Sequence, residues 1–425
     1  MNFKFSTRTW VVLAAVLSVC CVLLAITWLS NGTQSHRLDD GSILVLNRVE
    51  YASTNEFSHG KQWEKLLGDL IPTNGIQIAK VKVERPTKER FSMTGQPWLI
   101  AEFKVIPRSR YDTPLLARPN FYRQFRCVVS GEVGMEFVEE FWPNGFKNYR
   151  DGHFGYILSS RFPRDSKRLN FRIEQQKEQG GSWRTIANFR IKNPSHPANL
   201  PWKAEPAPIT KVANGMEFVL GPVTMELRPF SDKDIWNHRF DIPFQVRANG
   251  VTLTNWSTAH IEADDSSGNW GINSMPRGFT NGWSLVSGWR GLDPRFVWRL
   301  QVDFAPAWQF GPESLFQFSV PVSLATPILT NAGDIPLKIS WVNQHMLSVQ
   351  MLTNREDLRL LFVAANDGAG RDMDDFSGSW GQAGFWHSLK FDGTNQAFEA
   401  TVAIVPDVKV TFYVQPKLIL DSAPR

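Results

Sequence analysis

At 425 residues the chain is long enough for roughly two to four domains, and 42% hydrophobic with 20% charged residues is a globular composition. Cys20 and Cys21 fall in an apolar run, so Cys127 stands alone in the rest; a disulfide framework and a cysteine-based zinc site are excluded. Residues 41–200 carry 25 Lys and Arg against 16 Asp and Glu, whereas 201–425 carry 18 against 23, so the basic part is the one nearer the N-terminus.

The first expected element is a membrane helix. Residues 10–29, WVVLAAVLSVCCVLLAITWL, hold no charge, and twenty residues at about 1.5 Å each span the hydrocarbon core. Trp10 and Trp28 mark its ends, Lys4 and Arg8 precede it, and Asp39 and Asp40 follow. The positive-inside rule makes 1–9 a cytoplasmic tail and puts the bulk of the chain outside a cytoplasmic or plasma membrane. The run is longer than a signal-peptide core and lacks a good cleavage exit, so it reads as a single-pass signal-anchor.

Beyond the anchor the pattern predicts a mainly β chain of three immunoglobulin-like β-sandwich units, 40–195, 209–325 and 337–417. DGSILVLNRVEY (40–51) and NGMEFVLGPVTM (214–225) each read as an opening hairpin, and Asn249-Gly250 is a strong tight-turn signal. One short amphipathic helix is expected at 60–71, where Trp63, Leu66, Leu67, Leu70 and Ile71 make one stripe and Pro72 stops it. The basic stretch 80–90 reads as a solvated strand face. Leu169, Phe171 and Ile173 alternate as a core-facing strand should. Two proline-rich stretches, 193–208 and 325–336, read as linkers.

The second and third units look like a duplication. DDSSGNWG (264–271) returns as DDFSGSWG (374–381), and the same offset of 110 carries the alternating WRLQVDF (298–304) onto VKVTFYV (408–414). In the first unit RDGHFG (150–155) takes the place of the DD loop. Asp264, Asp265, Gly268, Asp374, Asp375 and Gly378 are therefore expected to build turns between strands, with both glycines at positive φ. Asp367, Asp372, Asp374 and Asp375 are the best oxygen donors for calcium, but their spacing is not that of a calcium-binding loop, and no metal or other cofactor is expected.

Other chemistry is sparse. The eight histidines form no local pair, and there is no G-x-S-x-G elbow, phosphate loop or G-x-G-x-x-G. Cys127 lies in an apolar strand pattern, which suits an inert thiol, and Glu139 and Glu140 would face opposite sides of one strand. The Gly- and Asn-rich stretch 269–291 holds Trp270, Trp283 and Trp289, of which Trp283 and Trp289 are the candidate ligand-binding rings, while Trp298 reads as core. The sum is a membrane-anchored extracytoplasmic binding or scaffold protein with a protein or glycan partner and no nucleic acid. The alternative is a cell-surface hydrolase acting on carbohydrate through a carboxylate pair assembled by the fold.

Overall fold

The computed structural model describes residues 34–420 apart from short stretches, the longest being 60–75, 117–124, 228–237 and 390–396. The expected tail 1–9, membrane helix 10–29 and amphipathic helix 60–71 lie outside the described residues. Among those that are described, no helix is long and apolar enough to cross a membrane. The architecture is mainly β, built of antiparallel sheets, and it divides into two compact units, Met1–Pro197 and Ala198–Arg425.

The first unit runs β1 (Ser35–Arg37), β2 (Ile43–Ala52), β3 (Thr54–His59), β4 (Ile76–Ile78), β5 (Val81–Val83), β6 (Thr87–Ser92), β7 (Trp98–Ile106), β8 (Phe125–Ser130), β9 (Phe137–Glu139), β10 (Phe141–Tyr149), β11 (Gly152–Ser159), β12 (Arg168–Gln176) and β13 (Trp183–Lys192). One sheet has the order β1-β2-β7-β11-β10 and the other β13-β12-β8-β9, with β3–β6 and β4–β5 as separate two-stranded ribbons. The two larger sheets close on a single core. Leu44, Phe103 and Val105 of one meet Cys127, Phe171 and Phe189 of the other, all with no exposed surface. The Phe103 ring stands edge-on to Phe141, Phe171 and Phe189 at 5.6–6.2 Å between centroids. Leu169, Phe171 and Ile173 all point inward, because alternate side chains of a strand share a face. In RDGHFG, Gly152–Gly155 begin β11, with Gly152 opposite Tyr149 of β10, so the stretch belongs to a hairpin and is not the counterpart of the DD loop, which lies between the strands Trp256–Asp265 and Asn273–Thr280.

The second unit runs β14 (Ile209–Ala213), β15 (Met216–Leu220), β16 (Thr224–Leu227), β17 (His238–Ala248), β18 (Val251–Thr252), β19 (Trp256–Asp265), β20 (Asn273–Thr280), β21 (Trp283–Trp289), β22 (Trp298–Pro306), a 3-10 turn at Pro312–Ser314, β23 (Leu315–Pro321), β24 (Ile328–Ala332), β25 (Ile335–Asn343), β26 (Met346–Met351), β27 (Leu358–Asp367), β28 (Asp374–Trp380), β29 (Gly384–Leu389), β30 (Ala397–Pro406), β31 (Val408–Val414) and β32 (Lys417–Leu420). It contains two further pairs of facing sheets. In one, β14-β15-β17, continued by β21-β20 on the far side of β17 and joined by β16, β18 and β32, faces β19-β22-β31. Phe218 lies 4.7 Å from Phe304 between ring centroids, Phe240 6.1 Å from Trp298, and Phe244 6.0 Å from Phe412. In the other, β24-β25-β26-β29-β28 faces β23-β30-β27 across Leu337, Val349, Leu360, Val402 and their neighbours.

Local turn chemistry behaves as the sequence implies. The β14–β15 turn carries Asn214 at φ +50° and Gly215 at +73°, and the β17–β18 turn Asn249 at +50° and Gly250 at +78°, values suited to a tight hairpin. Two expectations fail. The stretch 325–336 is no linker: it holds β24 and the start of β25, with Gly333 at φ +62° in the turn between them, and Pro336 is accommodated opposite Asn331. Part of 193–208 is also fixed. The Ala198 and Leu200 amides donate to the Ser267 and Ser266 carbonyls (2.9 Å each), and the Glu205 amide to Tyr413 (2.8 Å).

The boundaries 209–325 and 337–417 do not follow the strand pairing. β31 is the neighbour of β22, not its counterpart: Trp298 lies opposite Val414, Val302 opposite Val410 and Phe304 opposite Val408. The two segments alternate in phase because both line the same core, and the offset of 110 between them is coincidental.

Candidate functional site

The aspartate turns illustrate how the local sequence is used. Asp265 ends β19, and its Oδ1 accepts the Ser267 amide (3.0 Å), the Asn269 amide (3.1 Å) and the Ser267 hydroxyl (2.6 Å), while Oδ2 accepts Asn269 Nδ2 (3.1 Å). The Gly268 amide donates back to the Asp265 carbonyl with φ at +98°, a conformation that suits glycine. Burial pushes the Asp265 carboxyl up to about 6. Asp264 lies opposite Arg299 of β22, which grips it with Nε at 2.9 Å and Nη2 at 2.5 Å. Burial raises its pKa above the ordinary value, with Arg299 pulling the other way. The Arg299 guanidinium sits 5.0 Å from the centre of the Trp202 ring, which in turn packs on Tyr413.

Asp374, Asp375 and Gly378 do not build the matching turn. They belong to β28, with Asp374 opposite Leu389 and Gly378 opposite His387. The counterpart of Asp265 is Asp367 at the end of β27. Its Oδ1 accepts the Ala369 amide (2.9 Å) and the Arg371 amide (2.8 Å), its Oδ2 accepts Arg371 Nε (2.7 Å), and the Gly370 amide returns to its carbonyl with φ at +78°. An isolated bridge follows in both places, Asp264 with Trp270 and Asn366 with Asp372. The shared letters DD-x-S-G-x-W-G misled because backbone position, not spelling, defines the turn. Asp367 thus spends its oxygens on the turn and on Arg371, and among the described residues no three His, Cys, Asp or Glu gather as a metal site requires.

The aromatic candidates lie on β21. In β17 alternation turns Phe240, Ile242, Phe244 and Val246 to the core and leaves Asp241, Pro243 and Gln245 on the opposite face. The register places Leu285 of β21 beside Pro243 and Ser287 beside Asp241. Trp283 is half-buried and packs over Gly221, where an added Cβ would come within 3.2 Å of the indole and 2.8 Å of Pro243. Polar groups flank this Pro243–Trp283–Leu285 strip. At one end Asp241 accepts the Ser287 hydroxyl and lies 3.4 Å from the Arg239 guanidinium. At the other, Gln245 accepts Arg247 Nε (2.6 Å) and donates to the Gly282 carbonyl (3.2 Å). Trp289 closes β21 opposite Arg239, and Trp298 is fully buried as the sequence implies. An apolar strip with hydrogen-bonding groups at both ends suits the face of a sugar ring or an extended peptide.

A cavity of about 230 Å³ in the first unit has Leu116, Phe125 and Ile186 in its wall together with Arg184 and Asp39, which are paired at 2.5 Å. Cys127 is buried, which drives its thiol well above the ordinary pKa and suits an inert role. Glu139 is also buried and accepts the Ser159 hydroxyl at 2.8 Å.

Two charged clusters had no sequence signal. Arg126 of β8 lies opposite Glu174 of β12 and bonds it at 2.7 Å beneath the Trp183 ring, and Glu174 also receives Arg172 at 2.7 Å. Arg359 of β27, 3% exposed, reaches both Asp407 (3.0 Å) and Asp303 (2.7 Å). Arg126 and Glu174, and Arg359 with its two aspartates, lie far apart in the chain, and only the tertiary arrangement brings them together.

No family model, no curated protein and no solved structure matches the chain.

Proposed function

We propose that the chain is a binding or scaffold protein tethered to the membrane by residues 10–29, with its N-terminus inside and immunoglobulin-like sandwich modules outside. The Pro243–Trp283–Leu285 strip takes a protein or glycan partner. One observation carries this reading: four buried carboxylates are held by guanidinium groups as fasteners, and a fifth, Asp265, is enclosed by its own turn. Asp264 is held by Arg299, Glu174 by Arg126 and Arg172, Asp407 by Arg359, and Asp293 by Arg295 at 2.6 Å. A hydrolytic pair needs one carboxyl kept ready to donate a proton and a second kept ionised beside the substrate. Carboxylates gripped by guanidinium groups serve the fold instead, which leaves the indole strip as the chemistry offered to a ligand.

The test uses full-length protein extracted in detergent from carbonate-washed membranes, presented to arrays of glycans and of extracellular proteins. Retention in the washed membrane, with binding reduced tenfold or more by Trp283→Ala, is the expected result. Recovery of the protein in the carbonate supernatant, or binding unaffected by Trp283→Ala, would overturn the corresponding half of the reading.

A further inference from the structure

The three sheet pairs use one order of strands. Each begins with a hairpin in the larger sheet: β1–β2, β14–β15, β24–β25. A third strand joins it: β7, β17, β26. A fourth goes to the smaller sheet: β8, β19, β27. A second hairpin returns to the larger sheet: β10–β11, β20–β21, β28–β29. A central strand then enters the smaller sheet: β12, β22, β30. What remains is the strand lying on the other side of that central one. In the first unit it is β13, which follows β12 directly in the chain. In the second unit the strand that follows β22 is β23, yet β23 pairs with β30; the strand that follows β30 is β31, yet β31 pairs with β22.

We infer that the two sheet pairs of Ala198–Arg425 have exchanged their closing strands, and that this interlock makes them one obligate folding unit rather than two modules in series. The cause is local. Between the end of β30 at Pro406 and the start of β31 at Val408 stands a single residue, Asp407. To fold back beside β30 the chain would need a tight turn with positive φ at its central residues, and proline is locked near −65°. β31 must therefore run on to another sheet, and the edge of β30 is left for β23.

Both exchanged strands are fully engaged. β31 pairs with β22 from Trp298↔Val414 to Phe304↔Val408, and β23 pairs with β30 from Leu315↔Ala403 to Pro321↔Ala397. Phe412 is buried beside Phe244 in the core that β31 joins, and Val320 is buried in the core that β23 joins. The crossing is fastened as well. Arg359 holds Asp407, the linking residue, and Asp303 of β22 at once, while Ala305 of β22 packs with Ala403 and Val405 of β30 against Phe310 and Leu361. Without β31 the ladder edge of β22 would stand unpaired and the core around Phe244 would open.

The exchange is tested by cutting the connection between β22 and β23. A protease recognition sequence is inserted between Gly311 and Pro312 of the full-length chain, next to the exposed Pro312 and Glu313, and the cut protein is run on size exclusion in detergent. The two fragments are expected to co-elute and to part only in denaturant; separation under native conditions overturns the inference. A second measurement reads cooperativity. Phe412→Asp places a carboxylate in the core of the first of these sheet pairs, and hydrogen exchange in β19 and β22 should rise roughly a hundredfold, with β27 and β30 rising alongside. If Phe412→Asp does not fold, Val414→Ala gives the same readout with a smaller rise, roughly tenfold. Loss of protection in β19 and β22 while β27 and β30 keep theirs would show two independent modules and sink the idea.

Discussion

The turns at 265–269 and 367–371 share a pattern of hydrogen bonds and a positive-φ glycine and differ in the state of their central carboxylate. In each, an aspartate Oδ1 accepts the amides two and four residues on, and a glycine at positive φ closes the loop. Asp265 is fully buried, receives neutral donors from Ser267 and Asn269, and is pushed up to about 6 by loss of solvent. Asp367 is held below the ordinary range, first by the Arg371 amide and then by the Arg371 side chain. The difference comes from what lies over each turn. Residues 198–200 hydrogen-bond to Ser266 and Ser267, whereas Ala369 and Arg371 are exposed. Turn geometry is thus a property of a few adjacent residues, and ionisation a property of what packs on them.

The sharpest way to break this comparison is to remove the carboxylates. Asp265→Ala orphans several buried donors at once and should cost about 3 kcal/mol or more in urea unfolding at pH 7, since each buried unmet donor costs about 1–3 kcal/mol. Asp367 is itself buried, but Ala369, Gly370 and Arg371 of its turn are exposed, so Asp367→Ala should cost visibly less. Equal losses would mean that burial does not separate the two sites.

The pH dependence comes next in size. Asp265 binds its proton more tightly folded than unfolded, so its contribution to stability is complete below about pH 4 and declines as pH rises to about 6. A shift of about two units amounts to about 3 kcal/mol. Asp265→Asn should flatten this decline in melts taken from pH 4 to pH 7; an unchanged slope would refute the assignment. Asp367 acts in the opposite sense. Its contribution is present above the ordinary carboxylate range and is lost as pH falls through its lowered folded value, so Asp367→Asn should matter more at pH 7 than at pH 3.

A smaller effect is expected at the glycine. Nothing lies within 4 Å of a Cβ built on Gly370, so Gly370→Ala meets only backbone strain at φ +78° and should cost about 1 kcal/mol in the same denaturant assay. The smallest expectation is a null. Calcium in place of excess chelator should leave the melting temperature within error, because both Asp367 oxygens already serve the turn and Arg371. A rise of several degrees that disappears in Asp374→Ala would reinstate the cation reading.

The sequence by itself determined the mainly β character, the core-facing alternation of Leu169, Phe171 and Ile173, the Asn214-Gly215 and Asn249-Gly250 hairpins, and the burial of Trp298. Each depends on residues within a few positions of one another, where the two-residue period of a strand and the positive φ of a turn act directly. It also pointed to Trp283, though not to Pro243 and Leu285 beside it, which only the register of β17 against β21 assembles. Tertiary structure alone decided that Asp367 rather than Asp374 matches Asp265, that Arg359 joins Asp303 to Asp407, and that 408–414 lies beside 298–304 instead of repeating it. The physical reason is the same throughout. An alternating apolar strand states which face it buries but not which edge it joins, and that edge is settled by connection length and by which ladders are left open once the other strands have paired.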